Sequence, residues 1–167
     1  YPMFKAGLGA IPGDWDQEVR ALTAAGYYFV DRYYCLARAL IDPVEETIPV
    51  AQLSLVYSGT SSDRNYQLYR RADWIGTARV VAFNIEEAVG GHRLAKLMHL
   101  ELEPAWRGQD IGKWLLKRII NDYTLQGYSQ LIAHVPSQQH VAVSLLTQAG
   151  FIEENYRGYS LEKTLLT

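Results

Sequence analysis

Along residues 93–103, RLAKLMHLELE, apolar and polar side chains alternate with a period of two, the pattern of a strand with one face turned inward. Strict alternation puts Leu94, Lys96, Met98, Leu100 and Leu102 on one face and Ala95, Leu97, His99, Glu101 and Glu103 on the other. Pro104 ends the strand because it has no N–H to give a ladder. Residues 66–71 and 74–83 alternate likewise about a turn at Ala72-Asp73, which predicts a hairpin, and a loop with Gly90-Gly91 follows. Over 111–125 the spacing becomes helical, with Ile111, Leu115, Ile119 and Tyr123 on one stripe and Gly127 as the stop. A strand over 130–135, a helix over 141–149 closed by Gly150, and two strands within 151–165 about a turn at Arg157-Gly158 complete the pattern. The polar stretches 42–47 and 58–65 read as a linker and a loop. Strands in a row, then strand, helix, strand, helix, strand, predict an α/β (α+β) fold with a mixed, mostly antiparallel central sheet and flanking helices.

The start of the chain echoes its end. Pro12, Val19, Leu22, Thr23, Ala25 and Gly26 recur as Pro136, Val143, Leu146, Thr147, Ala149 and Gly150, each 136 − 12 = 124 positions later. Repeats on this scale arise by duplication. The chain therefore divides into residues 1–41, the tail of an upstream copy, and residues 42–167, the main domain. Under this reading 28–40 is strand. If instead 15–25 and 30–41 are the leading helices of one intact domain, 28–40 is helix. The opening Tyr1 in place of methionine fits a piece of something longer.

Composition narrows the chemistry. With 167 residues, 49% of them hydrophobic, the chain suits one globular domain. Sixteen basic against eighteen acidic residues give a net charge of −2, without the excess a nucleic-acid partner would need. Cys35 is the single cysteine, and no apolar run is long enough to cross a membrane, so a cytoplasmic protein is expected. His92, His99, His134 and His140 do not combine with Cys35 at metal-ligand spacings, and no metal is expected.

The segment from Leu100 to Lys113, LELEPAWRGQDIGK, passes from a strand through a basic, glycine-containing turn into a helix. Free N–H groups and the helix dipole, about half a positive charge, make such a helix start a receptor for phosphate. Gly108 and Gly112 allow close approach of an anion to the backbone, and Arg107 and Lys113 add charge.

This turn resembles the R/Q-x-x-G-x-G/A signature of the GNAT acyltransferases over residues 107–112. The hairpin of 66–83 with Ile75-Gly76, and the helix of 141–149 with Gly150-Phe151, are similar to that family's second and third strands and its last helix. The resemblance spans residues 66–165. It implies acetyl-CoA as co-substrate, with the sheet splayed between strands 93–103 and 130–135 to take the pantetheine. It further implies coenzyme contacts from Leu100 and Leu102, and pyrophosphate contacts from Arg107, Gly108, Gln109, Asp110, Ile111, Gly112 and Lys113. Asp110 stands where the family has its middle glycine. Gln139 and Leu146 stand where it often has an asparagine that touches the coenzyme and a tyrosine that protonates the thiolate, and leucine has no proton to give.

Acyl transfer to an amine needs a positioned nucleophile, a donor for the developing oxyanion and a route for protons. The N–H of Leu102 is the oxyanion donor, and Glu101 or Glu103 takes the amine proton, with Glu101 preferred. Tyr156, Tyr159 and Tyr123 are substitutes for the absent acid, and His134 sits on a central strand beside the opening. Glu86, Glu87, Glu101 and Glu103 point to a cationic acceptor, a small amine or a protein amino group. The alternative is a non-catalytic acyl-CoA-binding module of a longer protein. If residues 1–41 leave an unpaired strand edge, a homodimer follows.

Overall fold

The computed structural model describes residues 10–12, 15–85 and 92–164. Its strands are β1 (Ala10–Pro12), β2 (Tyr28–Ala39), β3 (Leu53–Gly59), β4 (Asp63–Arg70), β5 (Asp73–Ile85), β6 (His92–Leu102), β7 (Gln130–Pro136) and β8 (Ile152–Glu162). They form one sheet in the order β1-β8-β2-β7-β6-β5-β4-β3, antiparallel throughout except where β6 meets β7. The helices are α1 (Asp16–Ala24), α2 (Ile111–Leu125) and α3 (His140–Gln148), with a 3-10 turn at Pro104–Trp106. The mixed, mostly antiparallel sheet with flanking helices agrees with the sequence pattern.

The core forms where α2 lies on the sheet. Ile111, Leu115, Leu116, Ile119 and Tyr123 are fully buried in one cluster with Ala95, Leu97, Leu131 and Ala133. Burial of each large aliphatic side chain contributes about 1.5–3 kcal/mol, so this helical stripe fixes α2 in place. The linker 42–47 is irregular but held down. The Asn121 amide accepts from the Val44 N–H at 2.6 Å and donates to the Val44 carbonyl at 2.8 Å, so one side chain satisfies both main-chain groups of that residue.

Several local expectations need correction. Residues 58–65 are not a loop, since β3 runs to Gly59 and β4 starts at Asp63. The Thr60 N–H donates to the Asp63 carbonyl at 2.9 Å, and the Asp63 carboxylate takes two hydrogen bonds from Arg79, so the polar residues close a tight hairpin. The β4–β5 turn lies at Arg71-Ala72, where Arg71 takes φ 55. Residues 152–162 form one strand, not two, because β2 pairs with β8 on both sides of Arg157-Gly158. The helix alternative for 30–41 also fails, for β2 is a strand in the interior of the sheet between β7 and β8.

Strict alternation also breaks within β6. Arg79 pairs with His99 and Val80 with Leu97, which leaves Met98 as an extra residue in a bulge. Ala95 and Leu97 thereby share the core with Leu100 and Leu102. Glu86, Glu87, Gly90 and Gly91 lie outside the described residues.

Candidate active site

The site begins where two parallel strands part. β6 and β7 are paired only from Leu94–Gln130 to Leu97–Ala133, and beyond Met98 the two strands diverge. The Glu103 N–H donates to the Ile75 carbonyl at 2.9 Å, on the β5 side. Alternation along the strand then turns the N–H and C=O groups of Leu100 and Leu102 away from β5, into the gap that β7 has left. Arg107 braces this edge, its Nε donating to the Leu102 carbonyl at 3.0 Å.

After Pro104–Trp106 the chain bends sharply into α2. Gly108 takes φ 75 and Asp110 φ 57, both left-handed, and the exposed Asp110 side chain does not cap the helix. Glycine is the usual residue for that backbone shape, and aspartate is among the few others that tolerate it. The first helical bond runs from the Trp114 N–H to the Asp110 carbonyl at 2.9 Å. The N–H groups of Ile111, Gly112 and Lys113 therefore have no intrahelical acceptor and carry the positive end of the dipole.

Two adjoining clefts meet here. One, of about 690 Å³, lies between the start of α2 and α3 and is lined by Leu100, Leu102, Arg107, Gly108, Asp110, Gly112, Lys113 and Gln139, among others. The other, of about 710 Å³, follows the opening between β6 and β7 and shares Leu100, Arg107 and Gln139 with the first. Two of the coenzyme candidates stand apart from both. Gln109 turns its side chain back to the Ala105 carbonyl at 3.2 Å, and Ile111 is buried in the core, so each offers only its main chain.

Glu101 is exposed and lines the larger cleft; Glu103 is exposed but lines neither. Leu146 lines the larger cleft and is buried, without an ionisable group. Tyr123 packs edge-on against Tyr128 at 5.0 Å in the core, and burial pushes its phenol up to about 12. Tyr159 stacks with Phe29 and Arg32, away from the clefts, and the Tyr156 side chain lies outside the described residues.

Two other groups border the larger cleft. His134 lines it with a buried Nδ1 that has no hydrogen-bond partner. Burial, with the nearby Lys96 charge second, lowers its pKa to about 4, so the ring is neutral at neutral pH. Tyr33, on β2, lines the same cleft. The sequence carried no signal for Tyr33, because it comes from the segment read as foreign to the domain. Among the described residues no group of His, Cys, Asp and Glu is arranged to hold a metal ion, and no helix is long and apolar enough to cross a membrane.

The model of the acetyltransferase (GNAT) family matches residues 42–151, more than half of the chain. The chain belongs to the GNAT acetyltransferase family. That family is one of acetyltransferases. The GNAT fold is shared with a GCN5-related N-acetyltransferase from Sphaerobacter thermophilus, at a TM-score of 0.64 and 13% identity, covering 94% of this chain and 60% of that one. A GCN5-related N-acetyltransferase from Kribbella flavida gives a TM-score of 0.66 at 10% identity, covering 89% and 64%. N-acetyltransferase family 8 member 2 of Rattus norvegicus is 28% identical over 87 residues, 52% of this chain and 38% of that protein. This GNAT chain thus spans less than two thirds of each of these relatives.

Proposed function

We propose that this chain is an acetyl-CoA-dependent N-acyltransferase that passes an acetyl group to an amine by direct attack. The observation that carries the reading is the junction of the open β6 edge with the uncapped start of α2. The main chain of Leu100 and Leu102 would hold the pantetheine arm. The N–H groups from Gly108 through Gln109, Asp110, Ile111 and Gly112 to Lys113, with the Arg107 and Lys113 charges, would hold the pyrophosphate, and Gln139 would close the site from α3. Bound acetyl-CoA supplies the activated acyl carbon. As the amine nitrogen bonds to that carbon, Glu101 takes its proton, directly or through a water, and the Leu102 N–H donates to the oxygen that gains charge. The carbon–sulfur bond then breaks, and the thiolate takes its proton from solvent. General-base help of this kind is worth roughly 10²–10⁴-fold. Glu103, further from the cleft, is the reserve base. Exposed carboxylates near the opening favour a cationic acceptor.

Leu146 favours a second reading, a module that binds acyl-CoA without transferring the acyl group, because a buried leucine stands where the family often has its acid. Calorimetric titration of the chain with acetyl-CoA, beside an Arg107→Ala, Lys113→Ala double variant, tests both. Micromolar binding that the double variant loses supports the coenzyme site, and turnover with an amine panel then separates enzyme from module. No binding to folded protein removes both readings.

A further inference from the structure

Residues 15–38 and 139–162 share their shape as well as their sequence. Helix α1 (Asp16–Ala24) maps onto α3 (His140–Gln148) at both ends by the same offset, 140 − 16 = 148 − 24 = 124. The starts of β2 and β8 follow it, 152 − 28 = 124. The residues that open the helices have nearly the same backbone, Trp15 at φ −90, ψ 64 and Gln139 at φ −88, ψ 64. Gly26 and Gly150 close them at φ 86 and φ 84. The hydroxyls of Thr23 and Thr147 donate to the carbonyls of Val19 and Val143, at 2.7 and 2.9 Å.

The pairing of β2 with β8 is independent of that likeness. The offset makes Arg157 the counterpart of Tyr33, and Gly158 the counterpart of Tyr34, since 157 − 33 = 158 − 34 = 124. Tyr33 pairs with Gly158 and Tyr34 with Arg157, so each pair is the image of the other about a two-fold axis between the strands. The flanking strands obey the same axis to within one residue. Pro136, Val135 and His134 of β7 lie opposite Tyr33, Tyr34 and Cys35. Their counterparts Pro12, Ile11 and Ala10 form β1, opposite Gly158, Tyr159 and Ser160. Past β7 the sheet continues into β6, whereas among the described residues it ends at β1.

The two helices differ in what they cover. Leu146 of α3 is 4% exposed, with Val143 packed beside it on the core. Helix α1 buries no residue, and Leu22 and Val19, the counterparts of that pair, are only partly covered. Nearby on β2, Tyr28, Phe29 and Val30 are each about half exposed. Among the described residues, none forms beneath α1 the counterpart of α2 and β6.

We infer that β1, α1 and β2 are the closing elements of a second unit of this same fold on the same polypeptide, and that the rest of that unit seats on the Val19–Leu22 face of α1 and the outer edge of β1. Each unit then lends its last strand to the other's sheet. Tyr33 is a residue of the second unit that lines the cleft of the first, and Arg157 takes the corresponding place in the cleft of the second. The solved relatives are long enough to hold more than this chain, which covers 60% and 64% of them.

The test compares the 167-residue chain with the product of its complete reading frame, each carrying Leu22→Cys, against a bulky maleimide; Val19→Cys serves as a second site. The native thiol, Cys35, is buried, and the parent protein sets the background. The introduced thiol is expected to react readily in the 167-residue chain and about tenfold or more slowly in the complete polypeptide, as a group freed only by local opening does. A reading frame without a second such unit, or equal labelling in both forms, overturns the inference. Thiol labelling does not depend on acyl transfer, so this result stands apart from the fate of the proposed activity.

Discussion

Replacing Asp110 by glycine should tighten coenzyme binding without loss of stability. The residue sits at φ 57, ψ 6 at the start of α2, where the carboxylate is exposed and makes no cap. Left-handed backbone costs a typical L-residue roughly 1–2 kcal/mol, and aspartate less, while glycine loses about 0.5–1 kcal/mol more in chain entropy on folding. These terms nearly cancel, and the melting temperature should stay within a few degrees. Binding is another matter, because the carboxylate stands beside the N–H groups offered to a pyrophosphate. Two unit charges about 4 Å apart repel by about 1 kcal/mol in water and by about 4 kcal/mol at an effective dielectric of about 20. Exposure puts Asp110 near the watery limit, so removal should lower the Kd for acetyl-CoA about fivefold. The gain should grow at low salt, where screening is weaker. Calorimetric titration of parent and Asp110→Gly, at low and at physiological ionic strength, measures this directly. Equal or weaker binding by a glycine form with an unchanged melting curve would refute the assignment of this turn to the pyrophosphate.

Three further outcomes are expected. Glu101→Gln should lower kcat/KM for the amine by roughly 10²–10⁴-fold with acetyl-CoA affinity retained; steady-state kinetics beside calorimetry reads both, and a fall in affinity alone would argue against a proton-transfer role. Lys96 is 1% exposed, its Nζ has no hydrogen-bond partner, and burial lowers its pKa from 10.5 to about 7. The unfolded chain therefore holds a proton that the folded chain gives up between about pH 7 and 10, so stability should rise with pH across that window. Lys96→Met should flatten that rise and add stability on the order of 4 kcal/mol at pH 7, read from urea melts at several pH values. Asn121→Ala strips both partners from the main chain of Val44 and should cost about 2–3 kcal/mol, seen as a lower urea midpoint at constant slope.

What could be read from the sequence was local. The turn from β6 into α2 declares itself through Pro104, Gly108 and Gly112, because the free N–H groups it presents belong to neighbouring residues. The stripe of α2 and the hairpin of β4 and β5 were legible for the same reason, as each follows a fixed period. Where long-range pairing decides, the pattern misled. Arg157-Gly158 has the composition of a turn, yet β2 alongside holds β8 straight through it. Met98 fits the alternation of β6, but the register of β5 makes it a bulge and returns Leu97 to the core. The polar Ser58 and Thr60 mark the end of one strand and a three-residue turn rather than an eight-residue loop. Tyr33 could not be assigned to the cleft, because nothing within residues 28–39 states which strands they will join.

The parting of β6 and β7 after four rungs bears on how this fold tolerates change. An edge of main-chain amides and carbonyls belongs to the polymer rather than to any side chain. Short of a proline, no substitution at Leu100 or Leu102 deletes the hydrogen-bonding groups displayed there. Mutation can therefore rewrite the walls of the cleft while its rail persists.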